Sequence, residues 1–409
     1  MKAERNFPRF TVTKKAETSL RSGHPWVYDT EIMNIAGQTQ NGCLVDVLSQ
    51  KGTYLGTGLL SESSKIRVRI LAVNANETFE DSFFERRLRY AVEYRKTVMG
   101  EDFSCCRLIF GEADGLPGLT VDRFSNILVA QVLSYGIELR KHMIFSLLLK
   151  IMRESGVQID GIFERNDVAI RELEGLSQSK GWANICEENH PGITQTEIEE
   201  NGIRYIVDFE NGQKTGFFLD QKYNRRAVAR LSHEKRVLDC FTHTGSFALN
   251  AVCGGALHVD AVDISETALE TAKNNAQKNG MKNQIDFIRA DVFDYLRMLS
   301  EKHERPYQFI ILDPPAFTKS RKTVGNAANG YREINSLAMR ILPRGGYLAT
   351  CSCSHFMRDD LFRKMLAECA HETGVKLRQI EARGQSPDHP VLWGVPETDY
   401  LKFYLFQIE

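Results

Sequence analysis

The alternation of apolar and polar positions changes rhythm twice along this chain. Over the first 75 residues it is short. FTVTKKA, GCLVDVLS, YLGTGLLS and KIRVRILAV are separated by turn residues, with glycines at 42, 52, 56 and 58. Runs of this kind, bounded by glycine, predict short strands and a small β barrel. The rhythm then lengthens. In SFFERRLRYAVEYRKTVM the apolar residues Phe83, Phe84, Leu88, Ala91 and Val92 recur at helical spacing. A domain boundary falls near Glu80. Residues 105–195 mix strand candidates (RLIFGE, NILVAQVL, GIFERN) with a helix from about Ile137 to Ser155, which reads as an α+β module. Its segment GEADGLPGLTVDR is dense in Gly, Asp and Pro and reads either as tight turns or as a substrate loop.

From about Glu197 the pattern becomes regular. Strand candidates at 236–240, 256–264, 284–291, 307–313 and 346–352 are separated by the helical segments SETALETAKNNAQKNG, FDYLRMLSEKH and NAANGYREINSLAMRIL. FMRDDLFRKMLAECAHE follows, then strand candidates at 375–382 and 398–408. Strands alternating with helices of this length predict βαβ units on a parallel sheet. The expected fold class is α/β: a doubly wound, Rossmann-like sheet of seven strands. The expected layout is a barrel over 1–80, a central α+β domain over 81–195, and the large sheet over 196–409.

Composition adds limits. Apolar residues make up 42% and charged residues 26%, which is ordinary for folded chains and excludes a disordered class. No apolar run is long enough to span a bilayer, and MKAERNFPRF has no signal-peptide character, so a cytoplasmic protein is expected. The nine cysteines are scattered, with no repeated C-x-x-C, which argues against zinc and for free thiols in a reducing compartment. No histidine pairs with an acid at a spacing that suggests a metal. Net charge is −1, but residues 1–70 carry +4 and the remainder −5. A basic N-terminal module fits RNA guidance as well as an ordinary surface.

In open parallel sheets ligands sit beyond the carboxyl ends of the strands. The first strand of the large sheet ends in Asp239, followed by Phe241, Thr242, Thr244 and Gly245. A small loop opening a helix lets backbone N–H groups approach a ligand. The single glycine is not the G-x-G-x-x-G of dinucleotide enzymes. The second strand ends in Asp263-Ile264-Ser265, placing a carboxylate where ribose hydroxyls would be. The third ends in Asp291-Val292, able to bracket an adenine. The fourth ends in Asp313-Pro314-Pro315. One such Asp could be a helix cap; four in succession point to a nucleoside cofactor.

This series resembles the class I methyltransferases that use S-adenosyl-L-methionine. The whole chain resembles, more narrowly, the bacterial 23S ribosomal RNA large-subunit cytosine-5 methyltransferase family, which carries an N-terminal PUA domain. The blocks GHPWVY (23–28), GEADGLPGLTVDR (111–123), NGQKTGFFLDQKYNRR (211–226), DCFTHTGSF (239–247), LDPPAF (312–317) and TCSCS (350–354) carry the resemblance, end to end and in order. It implies PUA, central and methyltransferase domains, with RNA, specifically 23S rRNA, as substrate. Homologues of this layout can dimerise, though no residue here demonstrates a homodimer.

Carbon 5 of a pyrimidine is a weak nucleophile. A thiolate added to carbon 6 activates it. Cys351 and Cys353, two apart in the fifth strand, face alike, and Cys353 lies further toward the ligand end. The family's S-C-S motif falls on Ser352-Cys353-Ser354. Cys353 is the expected nucleophile and Asp313 the group that touches the base and assists proton transfer. Buried, inert cysteines are the alternative. Many RNA cytosine-5 methyltransferases carry a further cysteine after the prolines, where this chain has Ala316. Lys214, Phe218 and Gln221 either form a flap over the cofactor or belong to a hairpin whose phenylalanines fill core. Arg225 and Arg226 read as phosphate contacts or helix surface. Trp26 reads as barrel core or a base-stacking face. Two other functions remain open: methylation of an exocyclic amine through the Asp-Pro-Pro loop, and an RNA-binding assembly factor without catalysis.

Overall fold

The computed structural model describes residues 6–185, 191–317 and 324–409, with the side chains of 324–327 left aside. The chain divides into two compact units. The first holds residues 1–198, 207–219 and 387–398; the second holds 199–206, 220–386 and 399–409.

The first unit contains two sheets. One has the order β2-β6-β5-β4-β1-β3, built from β1 (Arg9–Val12), β2 (Trp26–Tyr28), β3 (Ile32–Ala36), β4 (Leu44–Leu48), β5 (Tyr54–Leu60) and β6 (Ile66–Ala72). Phe10, Val12, Val27, Val45, Val47 and Val68 close its core. The TKKA stretch, read as strand, is instead the start of a helix, Lys14–Arg21. Thr13 caps it by accepting from the Ala16 N–H, and Ala16 and Leu20, one turn apart, bury its inner face.

The second sheet has the order β11-β10-β9-β8-β7: β7 (Cys105–Phe110), β8 (Leu119–Phe124), β9 (Ile127–Val132), β10 (Gly161–Asn166) and β11 (Ser179–Trp182). The turn-rich segment 111–123 therefore gives way to a strand at Leu119, whose Val121 and Phe124 are fully buried. The helix Asp81–Met99 buries Phe83, Phe84, Leu88, Ala91 and Val92 as the spacing predicted. The helix expected from 137 begins at Lys141. A two-stranded ladder, β12 (Gln195–Glu200) with β13 (Ile203–Asp208), contains residues of both units.

The second unit is built on β14 (Arg236–Cys240), β15 (His258–Asp263), β16 (Ile285–Arg289), β17 (Phe309–Leu312), β18 (Tyr347–Ser352), β19 (Leu377–Arg383) and β20 (Lys402–Ile408). Their order is β16-β15-β14-β17-β18-β20-β19. The first five pair in parallel, and β20 runs antiparallel between β18 and β19. The α/β fold is the one the pattern predicts. Strand order reverses between β14 and β17, so a crevice opens there at the carboxyl rim. Beneath it Leu238, Cys240, Ile310, Leu312, Leu348 and the helices Val292–Glu301, Val324–Ile341 and Asp359–Thr373 share one apolar core. Among the described residues no helix is long and apolar enough to cross a membrane.

Candidate active site

Asp239, last but one in β14, is fully buried. Its Oδ2 accepts from the Thr242 hydroxyl at 2.5 Å and the Ala248 N–H at 3.0 Å, while Oδ1 is buried with no hydrogen-bond partner among the described residues. Burial pushes its carboxyl up to about 7, with the neighbouring charge of Asp313 adding to the rise. A buried acceptor left open at a strand end is costly unless something donates to it. The loop that follows is held in unusual backbone. Phe241 and His243 have φ of 62° and 50°, a left-handed conformation uncommon for such residues and concentrated at functional sites. Gly245 follows at φ 80°, where a Cβ would meet the Ala272 Cβ at 3.0 Å. The close approach of the loop to that helix requires glycine.

At the tip of β15, Asp263 accepts from the His243 N–H and the Ser265 N–H, each at 2.9 Å. Ser265 caps the next helix by accepting from the Ala268 N–H. Between them the Ile264 side chain is left 65% exposed and presents an apolar face. Beyond β16, Asp291 caps the helix it precedes; its Oδ1 accepts from Phe293 and Asp294. Val292 does not serve as sequence alone suggested. Its side chain sits in the core, and the accessible apolar neighbour is Phe293. Phe293 lies 5.8 Å from Phe317 and 6.4 Å from Phe241, forming an aromatic cluster along the rim.

Beyond β17, Asp313 accepts from the Gln221 side-chain amide at 2.9 Å. Loss of hydration, with Asp220 nearby, pushes it up to about 6. Pro314 is buried and Pro315 exposed. Cys353, one residue past the end of β18, is partly accessible, with its Sγ 4.0 Å from the Pro314 carbonyl oxygen. Cys351 is fully buried, and burial pushes its thiol well up. The two cysteines therefore differ in availability although they are two residues apart. The sequence-predicted residues Asp239, Phe241, Thr242, Thr244, Gly245, Asp263, Ile264, Ser265, Asp291, Pro314, Pro315 and Cys353 all lie on the rim loops of one sheet.

Lys214 and Phe218 belong to the first unit, where the Lys214 Nζ lies 4.6 Å over the Phe218 ring. Phe217 is buried. Arg225 is fully buried and paired with Glu200, so it is not an exposed phosphate contact. Trp26 is only partly buried and donates from Nε1 to Glu112 at 3.0 Å.

Sequence reading missed three rim residues: Phe317, Tyr331 and Lys402. It also missed a cluster at the opposite end of the sheet, where His258 Nε2 lies 3.1 Å from both Asp260 and Asp286. The alternation of His258 and Asp260 along one strand was the available signal.

Residues 183–406, which carry this acidic rim and its single-glycine loop, match the family model described as S-adenosylmethionine-dependent methyltransferase. Residues 10–72 match the PUA-like domain. Over 404 residues the chain is 38% identical to the ribosomal RNA large subunit methyltransferase I of Klebsiella pneumoniae (strain 342), covering 98% of each. It is 41% identical to the protein of that name from Aeromonas salmonicida, over 96% of this chain and 97% of the relative. The chain belongs to the ribosomal RNA large subunit methyltransferase I family. Its fold is shared with a candidate S-adenosylmethionine-dependent methyltransferase from Streptococcus mutans, at TM-score 0.80 and 21% identity over 98% of this chain and 99% of that one. A candidate methyltransferase complexed with SAH superposes at TM-score 0.82, again at 21% identity over 98% and 99%.

The rim fits this cofactor. The open Oδ1 of Asp239 offers an acceptor, Asp263 is oriented by two backbone N–H groups, and Ile264 and the phenylalanine cluster provide apolar faces.

Proposed function

We propose that this protein methylates carbon 5 of a cytosine in large-subunit ribosomal RNA, through a covalent adduct on Cys353. Family membership supports the substrate class. The observation that carries the base assignment is the accessibility of Cys353 at the rim, 4.0 Å from the Pro314 carbonyl in the loop that follows Asp313, while Cys351 and Cys240 are buried.

When bound, S-adenosylmethionine supplies an electrophilic methyl group. Asp239, Asp263 and Asp291, with Thr242, Gly245 and Ser265, would hold the polar groups of the cofactor, and Ile264 and Phe293 would offer apolar faces to its adenine. Cys353 adds as thiolate to carbon 6, making carbon 5 nucleophilic toward the methyl group. The carbon 5 proton then leaves to a base, and breaking the bond from Cys353 to carbon 6 restores the aromatic ring. Asp313, at about 6, is matched to hydrogen bonding and proton transfer near neutral pH. Gln221 holds it in place.

The test incubates unmodified 23S transcript with labelled S-adenosylmethionine and either wild type or Cys353→Ala, followed by bisulfite sequencing. One protected cytosine, lost in the variant with at least about a 10³-fold fall in rate, is the expected result. Label entering RNA with both proteins and no protected cytosine moves the assignment to an exocyclic amine. Absence of label with both proteins, while RNA still binds, points to an assembly role.

A further inference from the structure

Strand β20 reads KFYLFQI, a buried run that opens with a charge. Lys402 is only 6% exposed. It stands opposite Ser352 in the antiparallel ladder, so it reaches the turn that carries Ser352-Cys353-Ser354. Its Nζ donates to the Ser354 carbonyl at 2.7 Å and to the Tyr400 carbonyl at 2.7 Å. Among the described residues no carboxylate lies within ion-pair distance of it.

A buried ammonium satisfied only by carbonyls is expensive to maintain. An apolar residue would fit the strand better unless the charge serves the neighbouring turn. Cys353, Asp399 and Asp359 lie near enough to act on it electrostatically. Asp359 also accepts a hydrogen bond from Tyr404 in the same strand. On the other sides of the Cys353 turn stand Tyr331, from helix Val324–Ile341, and Asp313, both within electrostatic range of one another. Lys402 brings an ammonium to this turn, with the His355 imidazole two residues beyond Cys353, and a cation beside a thiol favours its ionised form.

We propose that Lys402 is the positioning residue of Cys353: it fixes the turn through the Ser354 carbonyl and supplies the buried positive charge that keeps the sulfur as thiolate. The proton lost by the thiol passes to solvent, and Lys402 stays an ammonium throughout. Burial draws its own ionisation down to about 8, so the charge that serves Cys353 weakens above that pH. The proposal builds on Cys353 as the nucleophile.

Its test is the pH dependence of alkylation at Cys353 by iodoacetamide, followed by mass spectrometry on the full-length protein without RNA, for wild type, Lys402→Met and Lys402→Arg. In wild type the midpoint should fall below the ordinary thiol value of about 8.5. Lys402→Met should move the midpoint to higher pH; a rise of about one in pH lowers the rate at pH 7 about tenfold. Lys402→Arg should restore most of the rate. An unmoved midpoint in Lys402→Met overturns the proposal. So does a wild-type midpoint at or above about 8.5, a result that needs no variant to fold. The nucleophile assignment fails separately, by methyl transfer surviving in Cys353→Ala, and that outcome leaves the alkylation result standing.

Discussion

Asp122 in the first unit and Asp239 in the second are both fully buried carboxylates on strands, yet their surroundings differ. Asp122 receives Arg107 through two N–H groups at 2.7 and 2.9 Å, and the Thr215 hydroxyl at 2.6 Å. Arg69–Glu174 and Arg95–Asp114 repeat the arrangement nearby. Among the described residues Asp239 has no cation within ion-pair distance, and Asp313 is held by the neutral Gln221 amide. The second unit can build a paired site, since Arg225 and Glu200 are both buried and joined by two bonds. The rim acids Asp239 and Asp313 are built differently. Paired burial holds the fold; unpaired burial at a strand end keeps a carboxylate open for a ligand, at a cost in stability.

Substitutions can break this contrast. Arg95→Met should have the largest effect on stability. It leaves Asp114 buried without its partner, and urea unfolding should show a loss of about 3–5 kcal/mol. Asp313→Asn should lower methyl transfer by about 10²-fold, measured with labelled cofactor on RNA. A stability change of opposite sign, with the smallest effect on ligand handling, is expected for Asp239→Asn. The Asp239 carboxyl is held at about 7 in the folded chain, against about 3.9 unfolded. The folded state therefore keeps that proton between the two values. Its contribution to stability is present below about pH 4 and is lost as pH rises through about 7. The Asn variant should gain on wild type as unfolding is measured from about pH 5 to about pH 8, while its affinity for SAH, by calorimetry, falls about tenfold. A pH-independent difference between the two proteins would falsify the assignment of an unpaired, proton-holding Asp239.

Much of this contrast was legible in the sequence. Each rim acid follows an apolar run of strand length, and the βα period fixes which end of the strand it occupies. Cys353 was legible for the same reason. What escaped was non-local. The helix Lys14–Arg21 has only Ala16 and Leu20 to mark its buried face, too little periodicity to outweigh a strand-like opening. Strand β8 hides behind the glycines and proline that precede it. Val292 turns inward and Phe293 stays accessible because the capping geometry of Asp291 sets which of them faces the core. Lys402 drew no reading of its own, because nothing local reveals that β20 inserts between β18 and β19.

That insertion also orders events in time. The loops after β14, β15 and β16 belong to consecutive parallel units, each closed by contacts close in sequence. The turn bearing Cys353 gains its support only when residues 402–408 have threaded between two strands already laid down. Contacts of such long sequence separation form slowly. The loops after β14, β15 and β16 can therefore mature first, and the turn that bears Cys353 is completed last, after the rest of the sheet has closed around it.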